Sequence, residues 1–278
     1  MTKKGMLYLV PTPIGNLGDM TLRGLETLRS VALIAAEDTR SAHRLLNHFQ
    51  ITCPSLISYH KFSEKSRIPQ IIAILDQGKD VAIISDAGSP GISDPAEIIV
   101  RAAIEAGVEV IALPGATAFV PALTASGLPC ASFLFLGFLP IKAKDRRLKI
   151  QRIDSSPETV ILYEAPHRVH KTLTELHKHL GNRRVVIARE LTKIFEEYIR
   201  GGLDELLEDY QVTEKGEFVI LIEPRTQEQG PDPEQLRLMV KALLKSGKAA
   251  SAILEELSGE YPRNLVYQTI LSFKKPKA

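Results

Sequence analysis

Cysteine is nearly absent from this chain. Cys53 and Cys130 stand far apart and form no CxxC pair, which excludes a disulfide framework and a structural zinc site and makes the cytoplasm the expected compartment. Long apolar runs are also missing. The longest are strand-sized, such as Val81-Ala82-Ile83-Ile84, far short of the roughly 18–20 residues of a membrane span, so no membrane partner is expected. The MTKKGMLYLV start has no apolar core or cleavage site and reads without an export signal. Excess charge is lacking too, at net +2, so the total does not announce nucleic acid. Three phosphate or nucleophile fingerprints are absent. Without GxxxxGK[ST] a P-loop hydrolase is disfavoured, without GxGxxG after the first strand a dinucleotide site is, and without GxSxG a nucleophile elbow is. His167 and His170 share a helical face, but no second pair has metal spacing, so no metal is expected.

What is present is a regular alternation. Apolar runs rich in β-branched residues at Met6–Val10, Val31–Ala36, Leu56–Tyr59, Val81–Ile84 and Val108–Leu113 read as buried strands. Helices are expected between them: Ala42–Phe49 capped by Ser41, Ile68–Gln77 closed by Gly78, and one opened by Asp94-Pro95 and stopped at Gly107. Strand–helix alternation implies a parallel sheet with its ligand outside the C-terminal strand ends. After about Gly127 the strands Phe133–Phe138, Thr159–Tyr163, Arg184–Ala188, Glu196–Arg200 and Glu217–Glu223 follow with fewer helices, which predicts a mixed sheet. Pro224–Pro233 reads as a linker, and helices are expected at Glu234–Lys245, Lys248–Leu257 and Arg263–Phe273. The expected organisation is therefore two α/β domains, 1–118 with a mostly parallel sheet and 119–224 with a mixed one, and a helical module at 232–278. That module reads either as helix-turn-helix-like or as a helical appendage packed on the body or on a sister chain. Its eight basic and five acidic residues, and the six basic residues and one acid of KAKDRRLKIQR from Lys142 to Arg152, suit phosphate contacts as well as a solvated face.

Three loops of small residues leave strands at one expected sheet edge. They are Pro11-Thr12-Pro13-Ile14-Gly15-Asn16, Ser85-Asp86-Ala87-Gly88-Ser89-Pro90-Gly91-Ile92-Ser93-Asp94-Pro95 and Leu113-Pro114-Gly115-Ala116-Thr117-Ala118. Small residues let backbone groups approach a ligand, and helix N-termini offer unpaired N–H donors. Polar groups cluster at strand ends: Glu37-Asp38-Thr39-Arg40, Tyr59-His60-Lys61, Glu164, His167-Arg168 and Arg189-Glu190-Leu191-Thr192-Lys193. Carboxylates beside basic groups suit proton transfer and phosphate holding, and equally suit ion pairs that fix a loop.

The strings LYLVPTPIGNLGD, LIAAEDTRSAHRLL, SDAGSPGISDP, LPGATA, FLGFLP, YEAPHR, IARELTK and KGEFVILIE run in order from Leu7 to Glu223. Together they resemble the tetrapyrrole methylase-like class of S-adenosylmethionine-dependent methyltransferases, and within it the branch that modifies ribosomal RNA. The resemblance implies S-adenosyl-L-methionine bound in a cleft between the two α/β domains. Contacts are expected from Pro13, Asp86, Ala87, Gly88, Ser89, Ile92, Thr117 and Ala118 on one side and Ala165, Leu191, Thr192 and Glu217 on the other. It also implies 2′-O-methylation of a cytidine of 16S ribosomal RNA at the decoding centre of the small ribosomal subunit, and a homodimer. A ribose hydroxyl is a poor acid, so Glu37, Asp38 and Lys193 are the candidates for its proton. Arg40, Lys142, Lys144, Arg146, Arg147 and Arg168 are the candidates for holding RNA. Two other readings stand beside this one, a corrin or porphyrin methylase and a ribosome-assembly factor without catalysis.

Overall fold

The computed structural model describes residues 3–52, 55–208, 215–225, 233–259 and 261–274. Cys53, Asp232 and most of the expected linker lie outside the described residues; Cys130 is exposed and free. The chain forms two compact units, one ending at Pro224 and one starting at Arg225.

The first unit begins with β1 (Leu7–Leu9), α1 (Leu22–Ser30), β2 (Leu33–Ala36), α2 (Thr39–His48), β3 (Leu56–Ser58), α3 (Glu64–Asp76), β4 (Val81–Ile84), α4 (Glu97–Glu105) and β5 (Val110–Ala112). The strands pair in the order β3-β2-β4-β1-β5, all parallel. β2 and β4 are buried at every position, as central parallel strands covered on both faces must be. Alternation sends Leu33, Ala35, Val81 and Ile83 to one face, against Ile71, Leu75 and Ile99 of α3 and α4. Ile34, Ala36, Ala82 and Ile84 meet Leu28, Ala42 and Leu46 of α1 and α2 on the other.

The chain continues through α5 (Phe119–Thr124), β6 (Phe133–Phe138), α6 (Ala143–Asp154), β7 (Thr159–Glu164), α7 (Val169–Leu180), β8 (Arg184–Arg189), β9 (Glu197–Gly202), α8 (Leu203–Glu208) and β10 (Phe218–Ile222). The second sheet has the order β6-β7-β10-β8-β9; β6 and β7 are parallel, while β10 is antiparallel to both its neighbours. The predicted α/β class with one parallel and one mixed sheet is thus observed. The C-terminal ends of β6, β7 and β8 and the first residues of β10 share one edge, because Phe218 pairs with both Glu164 and Arg189. In β6 the register slips between Phe135 and Gly137, and Gly137 has φ 60°, the left-handed conformation of a glycine bulge.

Four expected details are corrected. Asp38, not Ser41, caps α2: its carboxylate accepts from the Arg40 N–H at 2.8 Å, and the helix starts at Thr39, three residues ahead of the expected start. α3 starts at Glu64 and runs through Pro69, which forfeits one backbone bond at the exposed Lys65. α4 starts at Glu97; Asp94 caps no helix but accepts from Gly91 N–H within its own loop, at 2.5 Å. Arg146 of α6 points inward, 8% exposed, donating to Glu175 at 2.5 Å and to Thr172 at 2.8 Å, so it does not join the basic surface.

The second unit holds α9 (Pro233–Lys245), α10 (Ala250–Leu257) and α11 (Arg263–Lys274) around Leu236, Val240, Ile253, Leu257, Val266 and Ile270. No described helix is long and apolar enough to cross a membrane.

Candidate active site

The three small-residue loops are tied into one shelf. Thr12 and Gly88 exchange both backbone hydrogen bonds at 2.9 Å, a short antiparallel bridge between the loops after β1 and β4. Thr12 Oγ1 also donates to the Ser85 carbonyl at 3.1 Å, and Ser85 Oγ to that of Gly88 at 2.9 Å. Ser89 Oγ donates to the Ala116 carbonyl at 3.0 Å, which joins the loop after β5. Gly88 has φ 85° and Gly91 φ 92°, conformations glycine adopts without strain; Ser93 holds φ 73° as a non-glycine.

Opposite the shelf stand the edge residues of the second sheet. The loop after β8 carries Glu190 at φ 51° and Thr192 at φ 68°, and Thr192 Oγ1 accepts from Asn16 N–H at 3.1 Å. Gly15 is required there, since a Cβ on it would lie 2.5 Å from Lys193 Cγ. A second wall is therefore latched to the first.

Between the walls lies a cavity of about 450 Å3, within the usual range for a small-molecule site. Of the twelve residues expected to bind cofactor, ten line it: Asp86, Ala87, Gly88, Ser89, Ile92, Thr117 and Ala118 from the shelf, and Ala165, Leu191 and Glu217 from the second sheet. Pro13 and Thr192 do not; Ile14 takes the place beside Pro13, and Thr192 serves the latch.

The polar candidates separate. Glu37 lines the cavity, and burial raises its pKa, helped by the charge of Asp86. Asp38 does not line it. Arg40 chelates its carboxylate through Nε at 3.1 Å and Nη2 at 2.7 Å and holds its pKa down at about 2. The Asp38 N–H in turn fixes Asp86 Oδ1 at 3.0 Å. Lys193 is also off the cavity, with Nζ bound to Glu190 at 2.8 Å and Glu217 at 3.2 Å. Arg168 clamps the turn after β7, donating to the Leu139 carbonyl at 2.8 Å and pairing with the buried Glu164 at 3.3 Å. Lys142, Lys144 and Arg147 are exposed.

Sequence reasoning missed an aromatic wall and one acid. Phe138 and Tyr163 line the cavity, their rings 5.8 Å apart. The glycine inside FLGFLP was the available signal, since an internal strand glycine marks a bulge that re-aims its neighbours. Asp94 also lines the cavity, its pKa pushed up to about 6 chiefly by burial, with Glu37 and Asp86 adding repulsion. The helix-start reading of Asp94-Pro95 hid it. Among the described residues no group of three or more His, Cys, Asp or Glu side chains is placed to hold a metal ion.

Comparison with known proteins bears on this geometry. The profile of the tetrapyrrole (corrin/porphyrin) methylases matches residues 6–207. A protein of Synechocystis named ribosomal RNA small subunit methyltransferase I is 46% identical, over 97% of this chain and 99% of its own. A Bacillus subtilis protein of the same name is 44% identical over 83% of this chain and 79% of its own. Among solved structures, uroporphyrin-III C-methyltransferase of Thermus thermophilus, complexed with S-adenosylhomocysteine, superposes with a TM-score of 0.54 at 18% identity, covering 78% of this chain and 97% of that one. The chain belongs to the tetrapyrrole (corrin/porphyrin) methylase family, in the branch whose members are named ribosomal RNA small subunit methyltransferase I.

Proposed function

We propose that this protein transfers the methyl group of S-adenosylmethionine to ribosomal RNA, and that the acceptor is the ribose 2′-oxygen of a cytidine at the decoding centre of the small subunit. The observation that carries the proposal is the position of Glu37, a half-buried carboxylate with a raised pKa on a cavity of small residues and apolar walls that Asp86, Asp94, Glu164 and Glu217 also line. The relatives' names supply the RNA, and the residues supply the chemistry.

The cavity suits the cofactor. Its shelf presents backbone groups of Ala87, Gly88 and Thr117, its apolar surface comes from Ile14, Ile92 and Leu191, and its carboxylates at Asp86 and Glu37 favour a cation. S-adenosylmethionine, when bound, brings an activated methyl on a sulfonium, so the protein has only to align the acceptor oxygen and take one proton. Glu37 accepts that proton from the ribose hydroxyl. Its raised pKa makes it a better base than an ordinary carboxylate, while Asp38, saturated by Arg40, is a poorer one. Arg40, Lys142, Lys144 and Arg147 face solvent and are proposed to hold phosphates. We propose a homodimer as the active form.

Labelled S-adenosylmethionine is incubated with the protein and with small ribosomal subunits from cells lacking the enzyme, and the label is mapped. Label on one cytidine 2′-oxygen is expected; no label on RNA defeats the reading. Corrin or porphyrin methylation, suggested by the family's description, predicts transfer to a tetrapyrrole instead.

A further inference from the structure

We propose that Phe62 is a stacking platform for an unpaired base of the RNA, next to the nucleotide being methylated, with Lys61, Lys65 and Arg44 on the flanking phosphates. The proposal rests on the ribosomal RNA reading above.

Phe62 is 93% exposed, the most exposed phenylalanine among the described residues. It stands at the tip of the turn between β3 and α3, and that turn is rigid. His60 N–H donates to Ser63 Oγ at 2.9 Å, Ser63 N–H to the His60 carbonyl at 2.7 Å, and Phe62 N–H to His60 Nδ1 at 3.2 Å. The His60 and Phe62 rings meet edge to face, centroids 6.1 Å apart. The backbone that presents this apolar ring to water is thus held in place, which lowers the cost of ordering the turn on binding a partner.

The sheet order places the ring. β3 lies beside β2, which lies beside β4, and all three run the same way. Their C-terminal ends therefore carry, side by side, the His60–Ser63 turn, Glu37 and the Asp86 loop. Tyr59 N–H bonds the Ala36 carbonyl at 2.7 Å, so the turn begins one strand spacing from Glu37, with His60 beside that carboxylate. In the proposed complex the nucleotide next to the ribose at Glu37 lies on the β3 side, where the ring stands.

The surroundings choose the partner. Lys61 and Lys65 are exposed and have no ion-pair partner among the described residues, and Arg44 is exposed on α2. One aromatic ring among unpaired cations is the pattern of single-stranded nucleic-acid recognition, where bases stack and phosphates meet lysines. It is a poor centre for contact with a second copy of this chain, because charged residues are depleted from the cores of protein interfaces.

The test is methyl transfer to unmodified small subunits by full-length wild type, F62A, F62W and K61A/K65A, with S-adenosylhomocysteine affinity, melting temperature and sedimentation measured on each. F62A is expected to raise the KM for subunits about tenfold while cofactor affinity and melting temperature stay at wild type, and F62W to restore KM, since any aromatic ring can stack. K61A/K65A is expected to flatten the salt dependence of KM by a slope of about 1.4. Wild-type KM in F62A overturns the stacking role, and so does a change in oligomeric state on loss of the ring. If the wild-type protein labels no RNA, the ribosomal RNA reading falls and this proposal with it; label from wild type with an indifferent F62A removes the platform alone.

Discussion

The two walls of the cavity are made by different means. The first comes from the parallel sheet, where β1, β2, β4 and β5 all run the same way, so the shelf loops and Glu37, which follows β2, reach the same edge. The second comes from a mixed sheet, where the antiparallel β10 contributes the residues that precede and open it, Gly216, Glu217 and Phe218. A parallel sheet concentrates loops by topology alone; a mixed sheet has to bring one strand's start to the edge where the others end. The shelf consequently offers backbone and carboxylate, the second wall side-chain surface. Reaction chemistry is expected to follow the shelf, and shape and closure the second wall.

The largest expected effect tests that division at Glu37. Glu37→Gln keeps size and hydrogen bonding but removes the base, and is expected to lower kcat by about 10²–10⁴-fold with S-adenosylhomocysteine affinity unchanged. Because burial raises the Glu37 pKa, the acid limb of the wild-type kcat profile is expected above the ordinary carboxylate range and to vanish in Glu37→Gln. Asp38→Asn, one residue along, keeps an N-cap oxygen and loses only the charge pair with Arg40, and is expected to lower the melting temperature slightly and to change kcat far less. Comparable rate losses in the two variants would erase the distinction drawn here.

Next comes the second wall. Gly216 has φ 100°, and a Cβ there would lie 2.7 Å from Glu190 Cγ, where Glu190 Oε1 accepts from Glu217 N–H at 3.0 Å. Gly88 has φ 85°, but its Cβ would meet nothing closer than Ile14 at 3.5 Å. Gly216→Ala is therefore expected to cost about 2–3 kcal/mol by denaturant titration and Gly88→Ala about 1–2 kcal/mol, the strain of the left-handed region without a clash. Gly216→Ala is also expected to bind cofactor more weakly. Equal costs would show that the second wall yields as readily as the shelf.

A third comparison sits within α6. Arg146 and Arg147 are neighbours in sequence, yet Arg146 is buried against Glu175 and Thr172 while Arg147 is exposed. Arg146→Ala is expected to cost about 2 kcal/mol of stability by leaving Glu175 and Thr172 without their partner. Arg147→Ala is expected to leave the melting temperature alone and weaken RNA binding, with the salt slope reduced by about 1. Reversed outcomes would overturn both placements.

Much of this was legible in the residues, for identifiable reasons. The runs at Leu33–Ala36 and Val81–Ile84 are short, apolar and bounded, and burial on both faces is the one state that satisfies them. The shelf could be read because small residues between a strand and a helix have few purposes in a parallel sheet, and the ten cavity residues anticipated come from the resemblance to the family's motifs. Side-chain direction could not be read. KAKDRRLKIQR gives no sign that its third basic residue turns inward, because the partners, Glu175 and Thr172, arrive from a helix more than twenty residues on. Asp38 and Glu37 look alike in a string and differ because Glu37 is half-buried on the cavity while Arg40 folds back onto Asp38. Asp94 read as a cap because Asp-Pro starts many helices; here the helix waits until Glu97 and the carboxylate stays in the loop.

That displaced carboxylate gives the smallest expected effect. Asp94 has its pKa raised to about 6 from an ordinary 3.8, mainly by burial. Between those two values the folded protein binds more protons at this site than the unfolded chain does, so stability falls as pH rises through the window. Asp94→Asn keeps an oxygen to accept from Gly91 N–H and carries no charge. It is expected to leave the melting temperature unchanged near pH 4 and to raise it by a few degrees above pH 6, because only there does the wild type hold a desolvated charge beside Glu37 and Asp86. Melting scans of both proteins across that window test it. A pH-independent difference would show that Asp94 acts through its hydrogen bond to the shelf, and that the acidic side of the cavity reduces to Glu37 and Asp86.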